Sequence, residues 1–119
     1  MGDYRKLRAW EESHRLALEV YKVTAGFPKE ELFGLTSQMR RAAASVPANL
    51  AEGCGRNRDA ELARFAGIAL GSATELEYQL LLARDLGYLA QADHARLVKQ
   101  VGDLKPMLAK LVQSLKTDS

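Results

Sequence analysis

The sequence predicts an all-α protein: an up-down-up-down, left-handed four-helix bundle. Three observations carry this. Apolar residues recur at spacings of three and four over most of the chain, and no stretch shows the two-residue alternation of a half-buried strand. Aromatic residues make up only 7% of a chain that is 47% hydrophobic, so Ala and Leu build the core, as in helical bundles. Each periodic stretch is punctuated by a short Gly-, Pro- or Asn-bearing turn, which suits antiparallel neighbours and left-handed heptad packing. With 119 residues, no internal repeat and no linker-like segment, the chain reads as one domain over residues 1–119.

The first helix is expected at about 6–25. Leu7, Trp10, His14, Ala17, Tyr21 and Thr24 share one face, and Ala9, Ser13, Leu16, Val20, Val23 and Phe27 the next. Gly26 and Pro28 stop it. In the connector that follows, Phe27 and Phe33 are expected to plug onto the bundle. The second helix, about 36–53, begins at Thr36 or Ser37, either of which can cap free backbone amides. It carries an apolar stripe (Leu35, Met39, Ala42, Val46, Leu50) and beside it a polar stripe, Gln38, Arg41, Ser45, Asn49 and Glu52. Pro47 stands in its interior, where a missing N–H and a ring clash predict a bend or a stop.

The third helix, about 60–86, has Asp59 as a candidate cap and Glu61 in the first turn, where the helix dipole favours acids. Leu62, Ala66, Ala69, Ala73, Leu76, Leu80 and Ala83 form its main stripe, and small or apolar residues occupy most other sides. Such a helix is expected to be covered by more than its own chain can supply, which predicts a homo-oligomer. The fourth, about 91–116, presents Leu97, Val101, Leu104, Leu108, Leu111 and Leu115 as a seam, with Pro106 predicted to bend it. The tail Thr117-Asp118-Ser119 is expected to fray.

No apolar run reaches membrane-spanning length, and the start MGDYRK has neither a signal-peptide core nor the Ser or Thr of a myristoylation signal. With Cys54 alone, no internal disulfide is expected and a cytoplasmic location is the default. The net charge of +2 does not by itself argue for nucleic acid. Its distribution says more. Arg40, Arg41, Arg56 and Arg58 face only Glu52 in the second quarter, whereas Asp59, Glu61, Glu75, Glu77 and Asp85 dominate the third. Such halves can pair within a chain or between subunits.

Catalytic chemistry finds little support. Di-iron bundles need two Glu-x-x-His motifs. Glu11 and His14 supply that spacing once, and His94 lacks its Glu, so no metal or cofactor is expected. Cys54 lies beyond a helix C-terminus, where the dipole does not favour thiolate, although Arg56 and Arg58 are near in sequence. There is no phosphate-binding glycine loop. Arg8 and His14 have the spacing of an Arg–His ribonuclease pair, but His14 is expected on the core face and Arg8 off it, and so loose a pattern recurs by chance. Phosphate binding needs only clustered cations, and Arg40, Arg56 and Arg58 with Lys99, Lys105 and Lys110 are the candidates. No aromatic platform interleaves with them in sequence, so base reading is not suggested. Arg41 is expected instead to pair with Glu75 inside the bundle, in a register-fixing network with Gln38, Ser45, Asn49, Glu52 and Ser72. That leaves Arg40, just off both stripes, as the arginine of the pair free to bind.

The run LTSQMRRAAASVPANLAEG (Leu35 to Gly53), followed by IALGSATELE (Ile68 to Glu77), resembles a bacterial four-helix-bundle family first noticed as proteins encoded in intervening sequences of 23S ribosomal RNA genes. The resemblance extends from Tyr4-Arg5-Lys6-Leu7 and Trp10, through Tyr21, Phe27-Pro28 and Glu31, to the Leu-rich last helix. Gln38, Arg40, Arg41, Ser45, Pro47, Asn49, Glu52, Gly53, Gly71, Ser72 and Glu75 match its pattern. It implies a homopentameric ring and transfers no catalytic residue. More distantly similar is the accessory protein of diversity-generating retroelements, a basic pentamer that binds nucleic acid and a reverse transcriptase. The low net charge here departs from that relative. The expectation is therefore a non-enzymatic oligomer with a basic face for RNA or DNA, or alternatively a scaffold for a protein such as a reverse transcriptase.

Overall fold

The computed structural model describes residues 2–116; the expected fraying of residues 117–119 lies outside them. The described residues contain four α-helices and no strand: α1 (Arg8–Thr24), α2 (Leu35–Gly55), α3 (Asp59–Asp85) and α4 (Gln91–Lys116). Each packs on its neighbour in sequence, and α1 closes against α4, which gives a body of 46 × 22 × 19 Å. Short turns reverse the chain between helices. Both ends of α2 therefore sit beside α3, its start near the end of α3 and its end near the start.

The core follows the expected stripes. Leu16, Val20, Met39, Val46, Leu50, Leu76, Leu80, Leu97, Val101, Leu104 and Leu108 are all but sealed from solvent. A smaller cluster lies at the α2–α3 turn, where Cys54, Leu62, Ala63 and Leu115 meet Tyr4, Leu7 and Leu111. Gly53 is what lets α2 and α3 close there. A Cβ on it would stand 3.0 Å from Leu62 Cδ1 and from Phe65 Cβ.

Several boundaries differ from expectation for identifiable reasons. α1 starts two residues late because Tyr4–Lys6 forms a 3-10 turn, held by Asp3 Oδ1 accepting from the Arg5 amide at 3.1 Å. α2 is not capped by Thr36 or Ser37. Glu31, in the 3-10 turn Lys29–Glu31, reaches forward and its Oε1 accepts from the Leu35 amide at 3.1 Å. Its other oxygen accepts from the Tyr88 hydroxyl at 3.1 Å. Asp59 begins α3 rather than capping it. Neither proline ends a helix: α2 runs through Pro47 and α4 through Pro106. Pro47 is buried within α2, whereas Pro106 lies on the exposed side of α4.

Of two expectations about exposure, one is corrected. Phe27 does plug the bundle, with its ring centroid 5.6 Å from that of Tyr88, but Phe33 is 93% exposed. As expected, its own chain leaves part of α3 uncovered. Gly67, Ile68, Gly71, Thr74, Tyr78 and Leu81 form an uncovered outer face, with Tyr78 60% exposed.

Candidate nucleic-acid interface

The polar stripe of α2 forms a network only at its middle. The hydroxyls of Ser45 and Ser72 lie 2.9 Å apart across the α2–α3 contact. Asn49 Nδ2 donates to the Ser45 carbonyl at 2.7 Å and to its hydroxyl at 2.9 Å. The expected Arg41–Glu75 pair is absent. Both side chains are exposed, and Glu75 instead accepts from Gln79 Nε2 at 3.2 Å. Burying that arginine would cost its hydration, and solvent offers the better alternative. Gln38 is likewise exposed and outside the network, and Glu52 pairs with Arg56 at 2.9 Å.

The six predicted cations do not form one face. Arg40 is tied down: its Nε donates to Thr24 Oγ1 at 2.8 Å, one Nη donates to the Tyr21 carbonyl at 3.2 Å, and the guanidinium lies 4.8 Å from the Tyr21 ring centroid. It satisfies the Tyr21 carbonyl near the end of α1, where a cation is favoured by the helix dipole. The expectation that Arg40 is free is therefore overturned. Lys99 pairs with Asp103 at 3.2 Å, and Lys105 crosses to Glu77 on α3 at 3.1 Å. Arg56 and Arg58 sit at the other end of α2. The rise of the helix places Arg40 and Arg56 roughly 24 Å apart.

At that far end the fold gathers cations that are remote in sequence. Tyr4 and Leu7 pack on the small cluster at the α2–α3 turn, so the segment bearing Arg5, Lys6 and Arg8 lies at the end of the bundle that carries Arg56, Arg58 and Arg64. Lys110 joins from α4, lining a groove with Leu7 and Arg8. Arg56 and Arg64 lie 5.4 and 4.4 Å from the Phe65 ring centroid. Glu61 is the carboxylate most engaged there. Arg64 donates to it at 3.0 Å, and this bond, with the charges of Arg64, Arg56 and Arg58, holds its pKa below the usual glutamate value. Arg58 makes no direct ion pair among the described residues, and neither do Lys6, Arg8 or Lys110. Position along the chain hides this convergence; the one signal is the basic run Arg5-Lys6-Leu7-Arg8, with apolar anchors inside and beside it.

The other candidates stay apart. His14 is exposed, not on the core face, and stacks on Trp10 with the rings 8° from parallel and 5.0 Å apart. Arg8 makes no contact with it among the described residues, and Glu11 bonds Arg15 instead. No group of three His, Cys, Asp or Glu among the described residues is placed to hold a metal. Burial raises the Cys54 pKa, which keeps the thiol protonated, and Arg56 and Arg58 do not offset it. No helix among the described residues is long and apolar enough to cross a membrane.

Comparison with known proteins bears on the fold and the family. None of the curated proteins matches the chain. A crystal structure of a protein of unknown function from the S23 ribosomal protein family of Bacteroides thetaiotaomicron superposes with a TM-score of 0.77, at 21% identity, over 87% of this chain and 97% of that one. At that identity the likeness is one of fold. The model of the 23S rRNA-intervening sequence protein family matches residues 5–110, nearly the whole length. With four helices in matching arrangement and that model spanning them, the chain belongs to the family of 23S rRNA-intervening sequence proteins.

Proposed function

We propose that this protein is a non-enzymatic, self-associating helical bundle that binds structured RNA through the cationic end of the bundle. The observation that carries this is the gathering of Arg5, Lys6, Arg8, Arg56, Arg58 and Arg64 at one end, with Arg8 and Arg58 unpaired among the described residues. Clustered cations bind phosphates through counterion release without any sequence motif. Guanidinium and ammonium groups aimed at phosphates do not distinguish one base from another, which favours shape over sequence recognition.

Self-association is supported by the outer face of α3. Gly67, Ile68, Gly71, Tyr78 and Leu81 leave a small and apolar strip uncovered by the chain itself. A pentameric ring is what the family resemblance implies; left-handed packing is expected from the heptad spacing, and a cytoplasmic location from the lone Cys54. Light scattering at micromolar concentration tests the assembly, and the mass of a single chain would overturn it.

Binding is tested by fluorescence anisotropy with a labelled RNA hairpin. The combined variant Arg8→Gln, Arg56→Gln, Arg58→Gln is expected to weaken affinity at least about tenfold at low salt, and to reduce the salt slope by about one for each phosphate left unneutralised. Unchanged affinity removes the reading. The RNA is expected to remain intact throughout; cleavage that disappears on His14→Ala would replace a binding protein with a ribonuclease.

A further inference from the structure

The opposite end of the bundle holds a second arrangement that the cationic end does not explain. A groove of about 450 Å³ opens between the end of α1 and the start of α2, lined by Tyr21, Leu32, Phe33, Thr36, Arg40 and Arg41, with Ser37 at its edge. Four features distinguish it. The Phe33 ring is 93% exposed, although nothing about the turn requires an aromatic residue there. Tyr21 is also exposed, and its ring already carries the Arg40 guanidinium at 4.8 Å, held by two hydrogen bonds. Arg41 has no hydrogen bond or ion pair among the described residues. Thr36 is only 3% exposed, yet its hydroxyl has no partner among the described residues, and it also borders a smaller groove beside Pro28.

No carboxylate is among the lining residues. The groove thus offers a bare aromatic face, an unpaired cation, a second cation fixed in place and an unsatisfied hydroxyl in its floor. A ligand matching all of these carries a flat π system, a negative charge next to it and a polar edge. We propose that the groove is a subsite for an unpaired nucleotide, with the base stacked on Phe33, the phosphate on Arg41 and the Thr36 hydroxyl available to the base edge. Arg40 serves as a positioning residue, keeping the Tyr21 ring as one wall. Stacking on an aromatic side chain accepts any base, so the site selects single-stranded over paired nucleic acid and not one sequence over another. This subsite stands apart from the cationic end, and either can fail without the other.

The probe is a fluorescein-labelled single strand of about ten uridines, with a parallel strand carrying one 2-aminopurine, whose fluorescence falls when the base stacks on a ring. The intact protein is titrated with each, and its mass is followed by light scattering. Phe33→Ala is expected to weaken binding about tenfold and to abolish most of the quenching at saturation. Phe33→Tyr keeps a ring and is expected to match the unaltered protein, whereas Phe33→Leu keeps only apolar surface and is expected to behave as Ala. Arg41→Gln lowers affinity and reduces the salt slope by about one while leaving the saturated quenching in place. The quenching reads this groove even if the Arg8, Arg56 and Arg58 variant binds hairpin RNA normally, so the two failures are separable. Full binding by Phe33→Leu, no quenching at saturation in the unaltered protein, or a fall in assembly mass on Phe33→Ala would each overturn the subsite; the last would make the groove a contact between copies of the chain.

Discussion

At the α2–α3 turn, arginines from separate stretches of chain surround one small hydrophobic cluster, and only some of them meet a carboxylate: Arg5 bonds Asp3, Arg56 bonds Glu52, and Arg64 bonds Glu61, while Arg8 and Arg58 pair with none among the described residues. At the opposite end Arg40 gives its donors to the end of α1 and its flat face to Tyr21, while Glu31 ties the Leu35 amide to the Tyr88 hydroxyl. Charge at the first end is left facing solvent. Charge at the second end mostly joins elements of the bundle to one another. An arginine pair in sequence therefore says little about binding until its hydrogen bonds are accounted for. Of Arg40 and Arg41, the former holds the fold together and the latter stands outside the network expected to hold it.

The contrast can be broken most severely at the cationic end. Leu62 is buried in the cluster that seats the N-terminal segment. Leu62→Ala is expected to cost about 2–5 kcal/mol by chemical denaturation, through reduced burial and a cavity. Hairpin RNA binding should fall with it, because Arg5, Lys6 and Arg8 lose their anchor. Retained affinity in a destabilised but folded variant would show that those three do not act together with Arg56 and Arg58.

A smaller effect is expected from Arg40→Ala, about 1 kcal/mol, since its hydrogen bonds to α1 are partly solvated. Hairpin binding at the cationic end should be unchanged. A loss of hairpin binding without loss of stability would return Arg40 to the RNA-binding set.

The smallest effect concerns pH. The bond to Glu31, together with some burial and the charge of Glu31, raises the Tyr88 pKa above its ordinary value of 10.0. A group whose folded pKa is raised contributes fully below the unfolded pKa and loses that contribution as pH rises through the folded one. The protein should therefore lose melting temperature above about pH 10 more steeply than Tyr88→Phe, which has no proton to release. Parallel curves would mean that the bond adds no stability.

Most of the fold is legible in the order of residues. The stripes of α3 and α4 name their buried residues, because helical periodicity and burial are the same fact seen twice. The connector is less legible. Phe27 and Phe33 look alike in sequence, and only the path of the turn sends one ring inward. The polar stripe is half legible: Ser45, Asn49 and Ser72 meet, but Arg41 and Gln38 are left facing solvent and Glu75 turns to Gln79. The candidate site is the least legible, since Arg56, Arg58 and Arg64 lie close along the chain while Arg5, Lys6 and Arg8 reach that end only through packing of Tyr4 and Leu7. Aromatic residues do not interleave with the cations in sequence, yet Tyr21 and Phe33 flank Arg40 and Arg41 at the other end because they come from different elements.

Spacing along the chain settles where the helices run, which of their faces turn inward and which family the protein resembles, because side chains three and four apart share a side. The fate of the charges is settled by packing instead. Ion pairs and cation–π contacts depend on distances across helices, and nothing in the order of residues along one helix encodes how far away the next helix will hold its carboxylates.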